Sequence, residues 1–203
     1  MQPLIYLITD GEMTAQNFAE KSAETLNLIT KAIEAKISLI QIREKQISAK
    51  LVFELALQAA KITKNSDTKL LINDRADIAL AANADGVHLM ANSLSAKVIR
   101  KHFPKDFIIG ISTHSLEKAN EAKENGADFA TFSPIFYSPN KGKPVGLEAL
   151  REVCTKLKPF PIIALGGIDE TNYREVLQIA NGFAAIRFLK DVENLHKFPT
   201  SFR

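Results

Sequence analysis

The sequence predicts a single α/β domain, a (β/α)8 TIM barrel that is short and ends in an abbreviated last helix. Three observations carry this. Eight short apolar, β-branched runs recur along the chain, amphipathic stretches separate them, and a weak echo repeats where helices lead into strands. The runs are Leu4 to Thr9, Ser38 to Arg43, Lys69 to Asn73, Asp85 to Leu89, Phe107 to Ser112, Phe129 to Pro134, Pro161 to Leu165 and Phe183 to Arg187. Between the first two, Ala19, Ala23, Leu26, Ile29 and Ile33 fall at helical spacing; between the second and third, Val52, Leu55, Ala56, Ala59 and Ile62 do the same. The echo comprises Ala84-Asp85-Gly86-Val87, Ala127-Asp128-Phe129-Ala130 and Asn181-Gly182-Phe183-Ala184, with Gly126 placed to end its helix in the left-handed conformation. Such repetition suits a closed ring better than an open doubly wound sheet, which is the structural alternative. After Arg187 there is room only for a short eighth helix, with a loose end expected around Pro199 to Arg203.

Composition bounds the function. With 203 residues, 46% hydrophobic and 24% charged, residues 1–203 read as one ordinary globular domain. A net charge of +3, with its lysines spread along the chain, points to no nucleic acid and no membrane as partner. The single cysteine, Cys154, has no internal disulfide partner and reads as a packing residue in a reducing compartment. The start of the chain has no basic segment and only a short apolar run, so a cytoplasmic location is expected. Pairing of barrels as a homodimer suits the fold.

In a parallel barrel the chemistry sits on the loops leaving the C-terminal ends of the strands. The second run ends in Gln41-Ile42-Arg43-Glu44-Lys45, where alternation puts Gln41, Arg43 and Lys45 on one side, a set that suits a polyanion. The third ends in Asn73-Asp74-Arg75, the fourth contains His88, and the fifth leads into Ser112-Thr113-His114. The sixth leaves through a loop holding Ser138, Asn140, Lys141 and Lys143, the seventh ends in Gly166-Gly167, and the eighth ends in Arg187. Each has a plainer reading. Asp74 can serve the start of the third helix, His88 can be a satisfied core histidine, the glycine pair can be only a turn, and the lysines can be solvated. Arg187, at the end of an apolar strand, is costly to desolvate without an anion. Glycine amides beside a cation after strands seven and eight match the phosphate site such barrels often build. Arg43, Lys45 and Lys141 form a second anion site, and Asp74 is placed to hold a Mg2+ that bridges phosphate oxygens.

Six motifs in order make the chain resemble thiamine phosphate synthase and its relative, the TenI-like thiazole tautomerase: Gln41-Ile42-Arg43-Glu44-Lys45, Asn73-Asp74-Arg75, Ala84-Asp85-Gly86-Val87-His88-Leu89, Gly110-Ile111-Ser112-Thr113-His114, Ser133-Pro134-Ile135-Phe136 and Ala164-Leu165-Gly166-Gly167-Ile168. The resemblance runs from about Leu4 to Phe188. It implies small phosphorylated thiamine precursors as partners. Gln41, Arg43 and Lys45 would contact the pyrophosphate of hydroxymethylpyrimidine pyrophosphate, with Asn73 nearby and Asp74 on Mg2+. Ser112 would face the pyrimidine. Ser138, Asn140 and Lys141 stand where the family has a Thr-x-Thr-Lys loop, and Gly167 would bind the thiazole phosphate. Loss of pyrophosphate would leave a pyrimidinylmethyl cation that the thiazole nitrogen captures.

Three positions depart from the synthase pattern. Met90-Ala91-Asn92-Ser93 replaces a Gly-Gln-Glu-Asp segment whose aspartate is a second Mg2+ ligand, Arg187 replaces a serine, and Ser138 and Asn140 replace two threonines. A tautomerase would need a proton shuttle, which His114 matches by resemblance, and an imidazole titrates in the useful range. Retention of Lys45 and Asp74 favours the synthase; loss of the second carboxylate favours the tautomerase. A non-catalytic barrel that binds a phosphometabolite is the third reading.

Overall fold

A computed structural model of the chain describes residues 2–90, 92–139 and 141–198. In chain order the elements are β1 (Leu4–Ile8), α1 (Phe18–Glu34), β2 (Leu39–Ile42), α2 (Ala49–Thr63), β3 (Lys69–Asn73), α3 (Ala76–Ala81), β4 (Gly86–Leu89), α4 (Ala96–His102), β5 (Ile108–Thr113), α5 (Leu116–Glu124), β6 (Phe129–Phe132), α6 (Gly146–Leu157), β7 (Ile162–Leu165), α7 (Tyr173–Leu177), β8 (Gly182–Ala185), α8 (Arg187–Lys190) and α9 (Val192–Leu195). The strands follow one another as a closed parallel barrel, β1 to β8, so the open-sheet alternative is set aside. Pro199 to Arg203 lie outside the described residues. Among those residues no helix is long and apolar enough to cross a membrane.

Several strands stop earlier than their apolar runs suggest. β2 ends at Ile42, before Arg43, and β6 ends at Phe132, before Ser133-Pro134, where proline has no N–H to give a ladder. β8 ends at Ala185. Arg187 is therefore the first residue of α8, because the Lys190 N–H closes a helical turn onto the Ile186 carbonyl at 3.0 Å.

The fold divides into two compact units. The first comprises Tyr6–Val87 with the residues from Ile186 onward. In it β2 is buried along its whole length and pairs in parallel with β3, Leu39 opposite Lys69 and Ile42 opposite Ile72. The α2 helix buries Val52, Leu55, Ala56, Ala59, Ala60 and Thr63, a stripe at helical spacing that leaves Ile62 on the outer face. In α1 the buried positions are Ser22, Ile29 and Ala32, while Ala19 and Ala23 are exposed and Leu26 and Ile33 are half-buried. The buried stripe thus begins on a serine that the hydropathy pattern hides, and its hydroxyl is satisfied by donation to the Ala19 carbonyl at 3.1 Å. Two four-residue helices, α8 and α9, take the place of a full last helix, as expected.

The second unit comprises Pro3–Ile5 and His88–Ala185. Its strands β5 to β8 pair in parallel, with Ser112 opposite Thr131, Thr131 opposite Ile163, and Ile163 opposite Gly182. Phe129, Phe132, Ile162, Ile163 and Phe183 fill its interior together with Leu150, Val153 and Leu157 of α6. Cys154, also on α6, is half-buried, and burial pushes its thiol up to about 11, so it stays protonated. Gly126 has the expected left-handed backbone, with φ of 84°.

The echo in the sequence is a repeated clamp at the strand starts. Asp85, Asp128 and Asn181 each give their backbone N–H to the carbonyl of Leu70, Ile109 and Ile162, at 2.9, 2.8 and 3.0 Å. Each side chain then accepts the N–H of that same residue, at 2.8, 2.7 and 3.0 Å. The recurring residue closes the end of a strand pair with two hydrogen bonds, occupying a donor and an acceptor that the ladder would leave over.

Candidate active site

In the first unit the polar groups at the ends of β1, β2 and β3 form one network. Gln41 is 1% exposed, and its amide donates to Asn73 Oδ1 at 2.9 Å while accepting from the Tyr6 hydroxyl at 3.2 Å. Arg43 follows, half-buried, with its backbone N–H donating to Thr9 Oγ1 at 2.8 Å. Its guanidinium runs beside the backbone of Gly11, where a Cβ would come within 3.4 Å of Nη1. Among the described residues no carboxylate forms an ion pair with it. Lys45 is exposed beyond the end of the strand.

Glu44, the residue after Arg43, lies two positions beyond the end of β2. It is 7% exposed, and its Oε1 accepts from the Thr9 hydroxyl at 2.6 Å and the Gly11 N–H at 3.3 Å, while Oε2 accepts from the Met13 N–H at 3.1 Å. Burial raises its pKa, and these donors only partly offset that. The sequence motif contained this carboxylate, but the expected chemistry was anion binding, and a negative side chain found no place in it. Its position between Arg43 and Lys45 was the available signal.

Asp74 occupies the left-handed region, with φ of 59°, a conformation that Asp tolerates better than most residues. The N-cap position of α3 belongs to Arg75, whose guanidinium is held by Asp77 in two hydrogen bonds of 2.8 and 2.6 Å. Among the described residues no three His, Cys, Asp or Glu side chains converge as a metal cage. The donors present at this strand end are one carboxylate and the neighbouring amide, a set that fits only an ion holding most of its ligands as water and substrate oxygens. Arg187 is exposed at the start of α8 and forms no ion pair among the described residues, so the desolvation argument for an anion there no longer applies. On the same short helix Lys190 pairs with Asp10; burial opposes this acid's ionisation, but the Lys190 ammonium and the Glu12 N–H outweigh it and hold the carboxyl below its usual range.

In the second unit, His88 is 2% exposed and its Nε2 lies 2.9 Å from Ser112 Oγ. It is a core histidine, and its partner Ser112 is itself a site residue. His114 is exposed, with Nδ1 2.8 Å from the Ser133 carbonyl oxygen. A carbonyl only accepts, so Nδ1 carries the proton and the neutral ring keeps Nε2 as its basic nitrogen. Met90 and Ser93 close a tight turn, the Met90 N–H donating to Ser93 Oγ at 2.9 Å and the Ser93 N–H to the Met90 carbonyl at 3.1 Å. Ala91, between them, lies outside the described residues.

The β6 loop is seated on Gly166 and Gly167. Ile135 and Phe136 donate to the carbonyls of Leu165 and Gly166, both at 3.0 Å. Both glycines have positive φ, 102° and 65°, and a Cβ on them would meet Pro134 Cα at 2.8 Å and the Tyr137 carbonyl at 2.4 Å. The pair is thus required both by backbone conformation and by close approach of the loop. Further along, Ser138 is half-buried and its carbonyl accepts from the Lys141 N–H at 3.2 Å, with the Lys141 side chain exposed. Asn140 lies outside the described residues.

Comparison with known proteins bears on this arrangement. The family model for thiamine monophosphate synthase matches residues 5–189. The thiamine-phosphate synthase of Clostridium acetobutylicum is 36% identical over 196 residues, covering 92% of this chain and 90% of that one. That of Caldicellulosiruptor saccharolyticus is 38% identical over 169 residues, covering 82% and 76%. Among solved structures, thiamine phosphate pyrophosphorylase from Pyrococcus furiosus superposes with a TM-score of 0.79 at 30% identity, covering 95% of this chain and 93% of that one.

Proposed function

The chain belongs to the thiamine monophosphate synthase family, and from that membership we propose that it joins hydroxymethylpyrimidine pyrophosphate to thiazole phosphate, forming thiamine phosphate and releasing pyrophosphate. The observation that carries this reading is Arg43. A half-buried guanidinium against the Gly11 backbone, two residues after the buried Gln41 and with no carboxylate paired to it among the described residues, suits a ligand that brings its own negative charge.

Each residue has a part in the reaction. Arg43, Lys45 and Lys141 oppose the charge that grows on the leaving pyrophosphate, while Gln41 and Asn73 orient its oxygens. Ser112, its hydroxyl held by His88, meets the pyrimidine. Ser138, Asn140, the amides of Gly166 and Gly167, and Arg187 serve the phosphates from the later loops. The bond from the pyrimidine methylene to oxygen breaks, its electron pair leaves with pyrophosphate, and the thiazole nitrogen forms the new C–N bond. Alignment of the two partners removes the entropy of their encounter. Asp74 would hold Mg2+, which when bound neutralises charge on pyrophosphate oxygens.

One observation favours a second reading. The fixed tautomer of His114 leaves Nε2 as a base in a solvent-exposed ring, which is what proton exchange on a thiazole carboxylate phosphate would use. Purified protein given both synthase substrates and Mg2+ is expected to form thiamine phosphate, at a rate that collapses in Asp74→Ala. A parallel mixture supplies the thiazole carboxylate tautomer. Tautomer conversion without coupling would overturn the synthase reading, and ligand binding without either reaction would leave only a binding role.

A further inference from the structure

We propose that Glu44 is a positioning residue for the pyrophosphate site, acting through Thr9 on Arg43; the proposal rests on the reading of Arg43 as a pyrophosphate ligand. Glu44 has no ammonium or guanidinium ion pair among the described residues, yet it is buried. A buried carboxylate without a counter-ion is costly, and a purely packing position would be better served by an apolar side chain. What the carboxylate gains is three donors from one short segment, namely the Thr9 hydroxyl and the N–H groups of Gly11 and Met13.

The network closes on Arg43. The Thr9 hydroxyl donates to Glu44 and so turns its lone pairs toward the Arg43 N–H, 2.8 Å away. The Thr9 N–H also donates to the Gln41 carbonyl at 3.0 Å. One threonine therefore fixes the backbone of both anion-side residues, Gln41 and Arg43, and Glu44 fixes the threonine. The same carboxylate holds Gly11, whose backbone flanks the Arg43 guanidinium, and the Gly11 carbonyl accepts from the Gln46 amide at 2.9 Å. A carboxamide cannot replace Glu44, because its NH2 would point at a backbone N–H.

The test is the affinity of the full chain for inorganic pyrophosphate with Mg2+, measured by calorimetry for wild type, Glu44→Gln, Thr9→Val, Thr9→Ser, Arg43→Ala and the pairs with Arg43→Ala. Glu44→Gln and Thr9→Val are each expected to weaken binding about tenfold, the scale of one charge-assisted hydrogen bond, and Thr9→Ser to restore it. In the Arg43→Ala background the same changes should have little further effect, since the coupling runs through that side chain. Should Glu44→Gln fail to fold, the threonine pair carries the test. Equal losses with and without Arg43, or a lowered melting temperature with unchanged affinity, would overturn the proposal and leave Glu44 a structural residue. If Arg43→Ala alone leaves affinity unchanged, the reading of the site fails first and the proposal with it.

Discussion

At Gly110 the missing side chain is a packing requirement. A Cβ built there would lie 2.3 Å from Phe129 Cζ and 2.8 Å from His88 Nδ1, and both of those side chains are buried. Gly110→Ala must therefore push the imidazole or the ring, and overpacking of this kind costs about 1–3 kcal/mol. The unfolding free energy is expected to fall by that amount, with a lower denaturation midpoint, and displacement of His88 from Ser112 should raise KM for the pyrimidine substrate more than for the thiazole. An unchanged midpoint would mean that Phe129 turns aside without cost. Much at this scale was legible in the sequence only as residue type. The motif placed Ser112 at the end of its strand and His88 read as a core histidine, but spacing did not show that its Nε2 meets the Ser112 hydroxyl. Glu44 was visible and had no role, because its donors, the Thr9 hydroxyl and the N–H groups of Gly11 and Met13, come from a distant stretch of chain that local spacing does not name. The desolvation argument for Arg187 fails for a related reason: an apolar run does not tell where a strand stops, and the side chain at the start of α8 is exposed.

Among the elements, the eight strands were legible because parallel strands buried on both faces must be continuous apolar runs, and the composition between them has helical period. The face of α1 was less so, since a buried serine satisfied by its own helix breaks the hydropathy stripe. The echo of Asp85, Asp128 and Asn181 was read as a sign of a closed ring, but the reciprocal hydrogen bonds behind it depend on backbone approach that spacing does not contain. Because an asparagine serves at 181, the clamp needs an acceptor oxygen and not a charge. Asp128→Asn should then change stability by less than about 1 kcal/mol, the range of the exposed Arg100 ion pair that it weakens. Asp128→Ala removes the acceptor from the Ile109 N–H and should cost about 1–3 kcal/mol. Urea unfolding of the two variants separates these outcomes; equal losses would assign the stabilisation to charge instead of the clamp.

For the whole molecule, a net charge of +3 gives little general attraction for anions, so affinity for a pyrophosphate has to come from the groups gathered at the strand ends. Binding there should stabilise the entire fold by mass action, because an unfolded chain does not keep Gln41, Arg43 and Asn73 together. At a hundredfold excess over Kd the gain is about 2.7 kcal/mol, which for a chain of this size raises the melting temperature by about 5–10 °C. Inorganic pyrophosphate with Mg2+ is expected to produce this shift, and removal of Mg2+ by a chelator should abolish most of it if Asp74 and the pyrophosphate oxygens share the ion. Lys141→Ala sharpens the measurement. Its side chain is exposed, so the variant without ligand should melt with wild type, while its ligand-induced shift shrinks. A full shift in Lys141→Ala would remove this lysine from the anion site, and a shift indifferent to the chelator would mean that one carboxylate does not suffice to recruit the metal.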